Sequence, residues 1–274
     1  MKEVSFPATS RLRTVAADAF WYPRLKAEGA DVLHCPTFRG PFRSKTPLVV
    51  TVHDLAILLH PEWFNRWTRA YSARSVPRVV AAADRVIAVS EATSRELQSL
   101  LAVPEAKIRV VPNGVEEVFS PEGARADGDY ALAVGTLEPR KNLGRIAAAV
   151  EGELRVAGAR GWGRVEPPAN VTWLGEVSDE ELATLYRGAR CLVYASLYEG
   201  FGIPVVEALA CGCPVVTSQG SPMEELAGDD AVYVDPYDVA SIRDGIRRAF
   251  RPAPRRGASW AEVARATRAV YEEL

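Results

Sequence analysis

The chain has little lysine, little cysteine and little histidine, and each scarcity narrows what it can be. Among 33 basic side chains the lysines are Lys2, Lys26, Lys45, Lys107 and Lys141; the rest are arginine. Four cysteines and three histidines occur in 274 residues, with no second pair at zinc-binding spacing. Cys35 and Cys191 sit in apolar runs, while Cys211 and Cys213 flank Gly212. That placement predicts buried free thiols rather than disulfides or a metal centre. No apolar run reaches the roughly 20 residues that span a bilayer. Lys2, Arg11, Arg13, Asp18 and Arg24 interrupt the start. The pattern predicts neither a transmembrane helix nor a secretory leader, and hence a cytoplasmic protein. A net charge of −2 gives no general attraction to nucleic acid or anionic lipid, so anion binding must come from local arrangement.

What is present is a folding chain, 48% hydrophobic and 25% charged, with enough residues for two domains of roughly 100–150 each. Short β-branched runs alternate with segments of helical period, the pattern of parallel sheets with crossover helices. Strands are expected at Asp31–Cys35, Leu48–Val52, Arg85–Val89 and Ile108–Val111, and helices near Arg11–Glu28, Trp63–Ala82 and Glu91–Leu101. A break at Ser120–Gly123 and Asp127–Asp129 places the domain boundary, giving 1–122, 123–252 and a closing helical segment 253–274 expected to pack back toward the first domain. The second half offers strands at Tyr130–Val134, Leu154–Ala157, Val171–Leu174, Arg190–Ala195, Pro214–Thr217 and Ala231–Val234. Ser178 with Glu181, and Ser259 with Glu262, are capping boxes. The runs are apolar throughout, as in strands covered on both faces. The fold class is therefore α/β: two doubly wound, Rossmann-like parallel-sheet domains facing a cleft, with ligands outside the carboxyl ends of the strands.

The most pointed segment is Tyr198–Pro214. It follows a strand and opens a helix, with Pro204 suited to the first turn and Gly212 to its end. Gly200 and Gly202 let the backbone approach a ligand, so the amides of Phe201, Gly202 and Ile203 face an incoming anion. Glu199 stands before the turn; Glu207, a helical turn inside, is placed to accept hydrogen bonds from ribose or sugar hydroxyls. A second anion-binding element is Gly135–Asn142, in which Arg140 can fork two oxygens of a diphosphate and Lys141 adds a compact charge. His53 ends a strand and is a candidate at the cleft, whereas His34 reads as a core or rim histidine and His60 as a surface one. The run Trp63–Tyr71 mixes arginine with aromatics; it reads either as a surface for a membrane or lipid-linked acceptor, or as a solvated face that buries Trp63 and Trp67.

Six stretches together resemble the retaining glycosyltransferases of family 4, which have the two-domain GT-B fold and use nucleotide-diphosphate sugars. They are Val49–Pro61 (VVTVHDLAILLHP), Arg85–Glu91 (RVIAVSE), Val110–Val115 (VVPNGV), Ala133–Asn142 (AVGTLEPRKN), Leu174–Arg187 (LGEVSDEELATLYR) and Tyr194–Thr217 with its Glu199 and Glu207. The likeness is greatest to bacterial mannosyl- and rhamnosyltransferase-like members. It implies that Arg140 and Lys141 neutralise the donor diphosphate, that Glu199 binds sugar hydroxyls, that Glu207 holds the ribose and that His53 contacts the transferred sugar. Gly135 and Gly200–Ile203 would line the phosphates, and Gly175–Val177 the base. The resemblance further implies transfer with retention, probing a UDP- or GDP-type donor and a glycan, lipid or small-molecule acceptor. No Asp-x-Asp motif stands in a suitable loop, so metal independence is expected, with no cofactor and no nucleic-acid partner.

One departure concerns the first domain. The family opens with a strand, a Gly-rich loop and a long helix; here Glu3–Pro7 runs into a helix and the first glycine is Gly29. A reduced first domain is expected, with an exposed sheet edge that favours a homodimer. The alternatives are a non-catalytic or partner-dependent nucleotide-sugar-binding protein, and, third, a sugar-nucleotide epimerase. A peripheral contact at the inner membrane face belongs to the expected partners.

Overall fold

A computed structural model describes residues 16–27, 29–159 and 170–274. The expected Glu3–Pro7 opening and residues 11–15 and 28 of the Arg11–Glu28 helix lie outside the described residues. Within it the chain is helical through Ala17–Trp21 and Tyr22–Arg24, leaving the helix at Leu25. Two compact units form, one of Met1–Pro112 with Ala264–Leu274 and one of Asn113–Val263, so the division falls before Ser120.

The first unit holds β1 (Leu33–Cys35), β2 (Leu48–Val52), β3 (Arg85–Ala88) and β4 (Ile108–Val110), all parallel in the order β1-β2-β3-β4. Its helices are α1 (Ala56–Leu59), α2 (Arg66–Ala82) and α3 (Glu91–Leu101). Every residue of β2 is buried. Leu48, Val50 and Val52 pack with Val76, Val79 and Val80 of α2 and with Leu97 of α3. Local chemistry sets the helix starts: Asn65 Oδ1 accepts from Thr68 N and Ser90 Oγ from Thr93 N, each at an N-cap. The unit is closed by the last helix, where His34 Nδ1 meets Tyr271 Oη at 2.6 Å and Glu273 binds both Arg85 and Arg109. The sheet runs in sequence order among the described residues, so no reversal of strand order falls within it.

The second unit holds β5 (Tyr130–Val134), β6 (Glu153–Ala157), β7 (Val171–Gly175), β8 (Cys191–Tyr194), β9 (Val215–Ser218) and β10 (Val232–Val234). Its helices are α4 (Leu143–Ala149), α5 (Asp179–Gly188), α6 (Ile203–Ala210), α7 (Pro222–Ala227) and α8 (Val239–Arg248); α9 (Trp260–Glu272) closes the chain. The sheet is parallel with the order β10-β9-β8-β5-β6-β7. Strand order therefore reverses between β5 and β8, which pair at Ala131 with Cys191 and Leu132 with Leu192. Strands β8 and β9 are wholly buried, but Thr172 of β7 is exposed and Val171 and Trp173 are half-buried. The expectation of uniformly covered strands fails at β7, the edge strand of this sheet among the described residues. The expected capping box at Ser178 and Glu181 opens α5. All four cysteines are free and buried.

Candidate functional site

In a doubly wound sheet the ligand crevice lies outside the carboxyl ends of the strands where strand order reverses. In the second unit that point is the β5–β8 pair, and the two loops leaving it carry the residues singled out above. The β5 loop passes Gly135 and Thr136, turns through Pro139–Lys141 and reverses at Asn142. The β8 loop passes Ser196 and Glu199 and enters α6 through Gly202.

These loops are joined by charge and by backbone. Arg140 donates from Nη1 to Glu199 Oε2 at 2.6 Å and from Nε to Glu138 Oε2 at 2.8 Å. Lys141 Nζ donates to Glu199 Oε1 at 2.7 Å and to the Tyr194 hydroxyl at 2.7 Å, with the ammonium 4.8 Å from the centre of that ring. Leu197 N donates to Arg140 O at 2.8 Å. Glu199 is only 7% exposed. Burial opposes its ionisation, yet Lys141 and Arg140 outweigh burial and hold the carboxyl below its usual range. Burial pulls Lys141 below the ordinary lysine range, with Glu199 opposing. Tyr194 stays neutral, because burial and the adjacent Glu199 push its hydroxyl well above the usual range. Glu138, Arg140, Lys141 and Glu199 thus form a charge-balanced quartet at the reversal point.

Sequence reasoning did not single out Asn142, Tyr194, Glu138 or Tyr186. Asn142 is 5% exposed with φ 57°, a left-handed conformation that asparagine tolerates better than most residues. Its Nδ2 donates to Ala195 O at 2.9 Å and Pro236 O at 2.6 Å, and its Oδ1 accepts from Arg145. One side chain therefore ties together the loops after β5, β8 and β10. The signal in the sequence is an asparagine directly before a helix, a frequent capping residue.

Helix α6 begins at Ile203 with no side-chain cap, and Pro204 occupies its first turn. Helix starts leave amide donors that a ligand or water can take up. Gly202 has φ 113°, and a Cβ there would stand 2.7 Å from Met223 Cγ. Conformation and packing both require glycine at this position. Phe201 is buried and Ile203 is exposed. Glu207 lies one turn further on, where its Oε2 accepts from Tyr186 Oη at 2.9 Å. Burial lifts the Glu207 carboxyl to about 7, the Tyr186 hydrogen bond opposing and Asp179 adding a little. Gly175 ends β7 with φ 76°, its carbonyl accepting from Gly158 N at 2.7 Å, and Val177 is half-buried before α5.

His53 belongs to the first unit. It is exposed after β2, with Nε2 3.0 Å from Pro36 O. The neighbouring Asp54, ahead of α1, accepts from Ala56 N at 3.0 Å. His34 is part-buried between Tyr271 and Thr51; burial, with His53 adding, lowers it to about 4. His60 is half-buried and stacks on Trp63 with ring centres 4.0 Å apart. The burial of Trp67 entertained above is corrected: Trp67 is 47% exposed. The core face of α2 is taken by Ser72, Ser75, Val76, Val79 and Val80, and helical period turns residue 67 away from it.

Both units are parallel α/β, and the second carries its cationic loops at a complete strand reversal, the architecture of a ligand-binding, doubly wound enzyme domain. The profile described as "Glycosyltransferase Family 4" matches residues 2–118, and that of "Glycosyl transferases group 1" matches residues 163–266. O-antigen chain mannosyltransferase B of Escherichia coli is 32% identical over 264 residues, covering 86% of this chain and 68% of the relative. O-antigen chain mannosyltransferase RfbU of Salmonella typhimurium is 30% identical, covering 72% of this chain and 59% of the relative. The chain belongs to the glycosyltransferases of this family. Among solved structures, sucrose-phosphate synthase from Thermosynechococcus elongatus aligns with a TM-score of 0.68 at 21% identity, covering 90% of this chain and 70% of that one. HepE from Anabaena, in complex with UDP and glucose, aligns at 0.62 and 20% identity, covering 83% and 65%. These two likenesses establish the fold. No helix among the described residues is long and apolar enough to cross a membrane.

Proposed function

We propose that the chain transfers a hexosyl group from a nucleotide-diphosphate sugar to a glycan, lipid or small-molecule acceptor, with retention at the anomeric carbon and without a metal ion. The observation that carries this reading is the convergence of Arg140 and Lys141 on Glu199, in the loop that leads from β8 into the uncapped start of α6 at the β5–β8 reversal. As the anomeric C–O bond breaks, negative charge develops on the leaving diphosphate. Two cations and a helix start placed on that charge stabilise the transition state more than the ground state. The acceptor oxygen attacks from the face the diphosphate leaves, and its proton passes to a departing phosphate oxygen. Arginine and lysine supply the charge a divalent ion would otherwise bring. Glu199, besides orienting both cations, is assigned the sugar hydroxyls, Glu207 the ribose, Gly175–Val177 the base and His53 the transferred sugar.

Mannose is the first sugar to test, because the relatives just named are mannosyltransferases. UDP- and GDP-linked hexoses, in buffer containing a chelator, are assayed for release of the nucleoside diphosphate and for product anomer. Turnover with retained configuration supports the reading. Binding of nucleotide without turnover of any donor overturns it in favour of a binding protein.

A further inference from the structure

The amino ends of the second sheet carry an arginine cluster that the donor chemistry does not use. Strands β6 and β8 start at this edge, at Glu153 and Cys191. Helices α4 and α8 pack against each other and run back to it from the carboxyl ends of β5 and β10. Between them lies a cavity of about 190 Å³. Its walls are Glu151 just after α4, Arg243 and Arg247 of α8, and Arg190 directly before β8, and its floor is the buried Ala149 and Ile246.

The guanidinium groups are held by the main chain as well as by charge. Arg243 Nη2 donates to Ala148 O at 2.9 Å, and Arg190 Nη2 donates to Glu151 O at 3.4 Å. Glu151 Oε1 accepts from Arg247 Nη2 at 2.6 Å and lies 3.8 Å from Arg243 Nε. Two further carboxylates stand at this edge. Asp129 is 4.0 Å from Arg190 Nη1 and 83% exposed, and Asp244 accepts from Arg248 Nε at 2.7 Å. A guanidinium has five N–H donors, so most donors of the three arginines remain for a ligand or water.

One carboxylate in the cavity does not balance three cations. Ion pairs as exposed as these, with Arg243 37% and Arg247 61% exposed, add little to stability. The fold therefore does not explain why three arginines from separate segments converge on one cavity. A phosphoryl group presents three oxygens at tetrahedral angles and is forked by guanidinium groups. The apolar floor suits a carbon skeleton attached to it. The volume is below the roughly 300–1,000 Å³ of pockets for drug-sized ligands, which points to a small metabolite.

We propose that this cavity is a binding site for a small phosphate monoester, at the opposite end of the strands from the β5–β8 crevice. Arg190, Arg243 and Arg247 hold the phosphoryl oxygens, and Glu151 is the resident anion that the ligand displaces. The site does not depend on the transfer chemistry assigned to the crevice.

The test is calorimetric titration of the full chain with glucose 6-phosphate and with inorganic phosphate at low salt. Glucose 6-phosphate is expected to bind at a single site and more tightly than phosphate, and both to weaken as salt rises. Arg243→Gln and Arg247→Gln should each lower the affinity about fivefold. Glu151→Gln should raise it about threefold, because the competing carboxylate is gone. Arg140→Gln, in the crevice, should leave it unchanged. Circular dichroism and thermal unfolding show that the variants are folded. Absence of binding by both probes, or affinity unchanged in both α8 variants, overturns the proposal. So does loss of binding in Arg140→Gln alone, which would put the phosphate in the crevice. Equal affinity for the two probes overturns it in favour of inorganic phosphate, and binding of a polyglutamate peptide but of neither probe in favour of an acidic protein segment.

Discussion

Asn142→Ala is the most direct perturbation of the architecture that holds the cationic loop in place. The wild-type side chain donates to two carbonyls, Ala195 O and Pro236 O, on buried residues, and its backbone sits at φ 57°. Alanine removes both donors, leaving two carbonyl oxygens without them, at roughly 1–1.5 kcal/mol each. It also has to occupy a left-handed conformation that costs about 1 kcal/mol more than in asparagine or glycine. The expected loss is about 3–4 kcal/mol, which moves a urea midpoint well outside experimental error. Asn142→Gly forfeits the same hydrogen bonds but not the conformational term, so it should be about 1 kcal/mol more stable than the alanine variant. Both substitutions release the loop that carries Arg140 and Lys141, so calorimetric titration with UDP and GDP should show weaker binding in both. Urea denaturation of the three proteins, followed by far-ultraviolet circular dichroism, supplies the stabilities. Stability within 0.5 kcal/mol of wild type for both variants, or a glycine variant less stable than the alanine one, would refute the reasoning.

Glu207 offers a pH test. Its carboxyl is raised to about 7 by burial, so the folded state binds this proton more tightly than the unfolded chain does. Its contribution is present below the ordinary glutamate range and is lost as pH rises to about 7. Glu207→Gln should therefore gain stability relative to wild type as pH goes from 5 to 8, by roughly 3 kcal/mol at most; a constant difference across that window would count against the assignment. Glu199→Gln removes one negative charge from the quartet while keeping a hydrogen-bond acceptor. It should lower stability by about 3 kcal/mol and tighten nucleoside diphosphate binding, and unchanged affinity measured by calorimetry would argue against competition between the carboxylate and the ligand. Gly202→Ala forces a Cβ against Met223 at a positive φ, and should cost about 2 kcal/mol in thermal or chemical denaturation. A variant as stable as wild type would show that the turn is not held as described.

What could be read from the sequence and what could not divide along a physical line. Helix α3 is found at Glu91–Leu101 as expected because its start is set locally, by Ser90 accepting from Thr93 N. The capping box at Ser178 and the turn at Gly202 are legible for the same reason: residues within four positions determine them. The partners of Arg140 and Lys141 are another matter. Glu199 lies 59 residues from Arg140 and 58 from Lys141, and their meeting depends on β8 pairing with β5 rather than with β7. Strand order is a property of the folded sheet, invisible to periodicity. Asn142 was hidden differently, since an asparagine at a helix start suggests a cap and says nothing of loops brought in from positions 195 and 236. Trp67 misleads by type: a large aromatic in a helix suggests burial, but smaller residues at Ser72, Ser75, Val76, Val79 and Val80 already occupy the core face.

The charge balance at the β5–β8 reversal explains why the cationic loop can be buried before any ligand arrives. Two cations crowded at a strand end with little exposure would repel each other and lose hydration. Glu199 sits between them, accepting from Arg140 on one oxygen and from Lys141 on the other, while Glu138 takes a second face of Arg140. The carboxylates supply two negative charges where a bound diphosphate would bring its own. On the proposed function, binding a diphosphate is an exchange of anionic partners within an ordered site, not the assembly of a site from mobile side chains, and the ordering entropy is met in folding rather than at the moment of binding. The same arrangement limits resting affinity, because the ligand must compete with carboxylates that remain nearby. In the proposed transfer a leaving diphosphate gains charge as the glycosidic bond breaks, so it would compete best at that stage, and a pre-occupied cation pair would thereby favour the transition state over the bound donor.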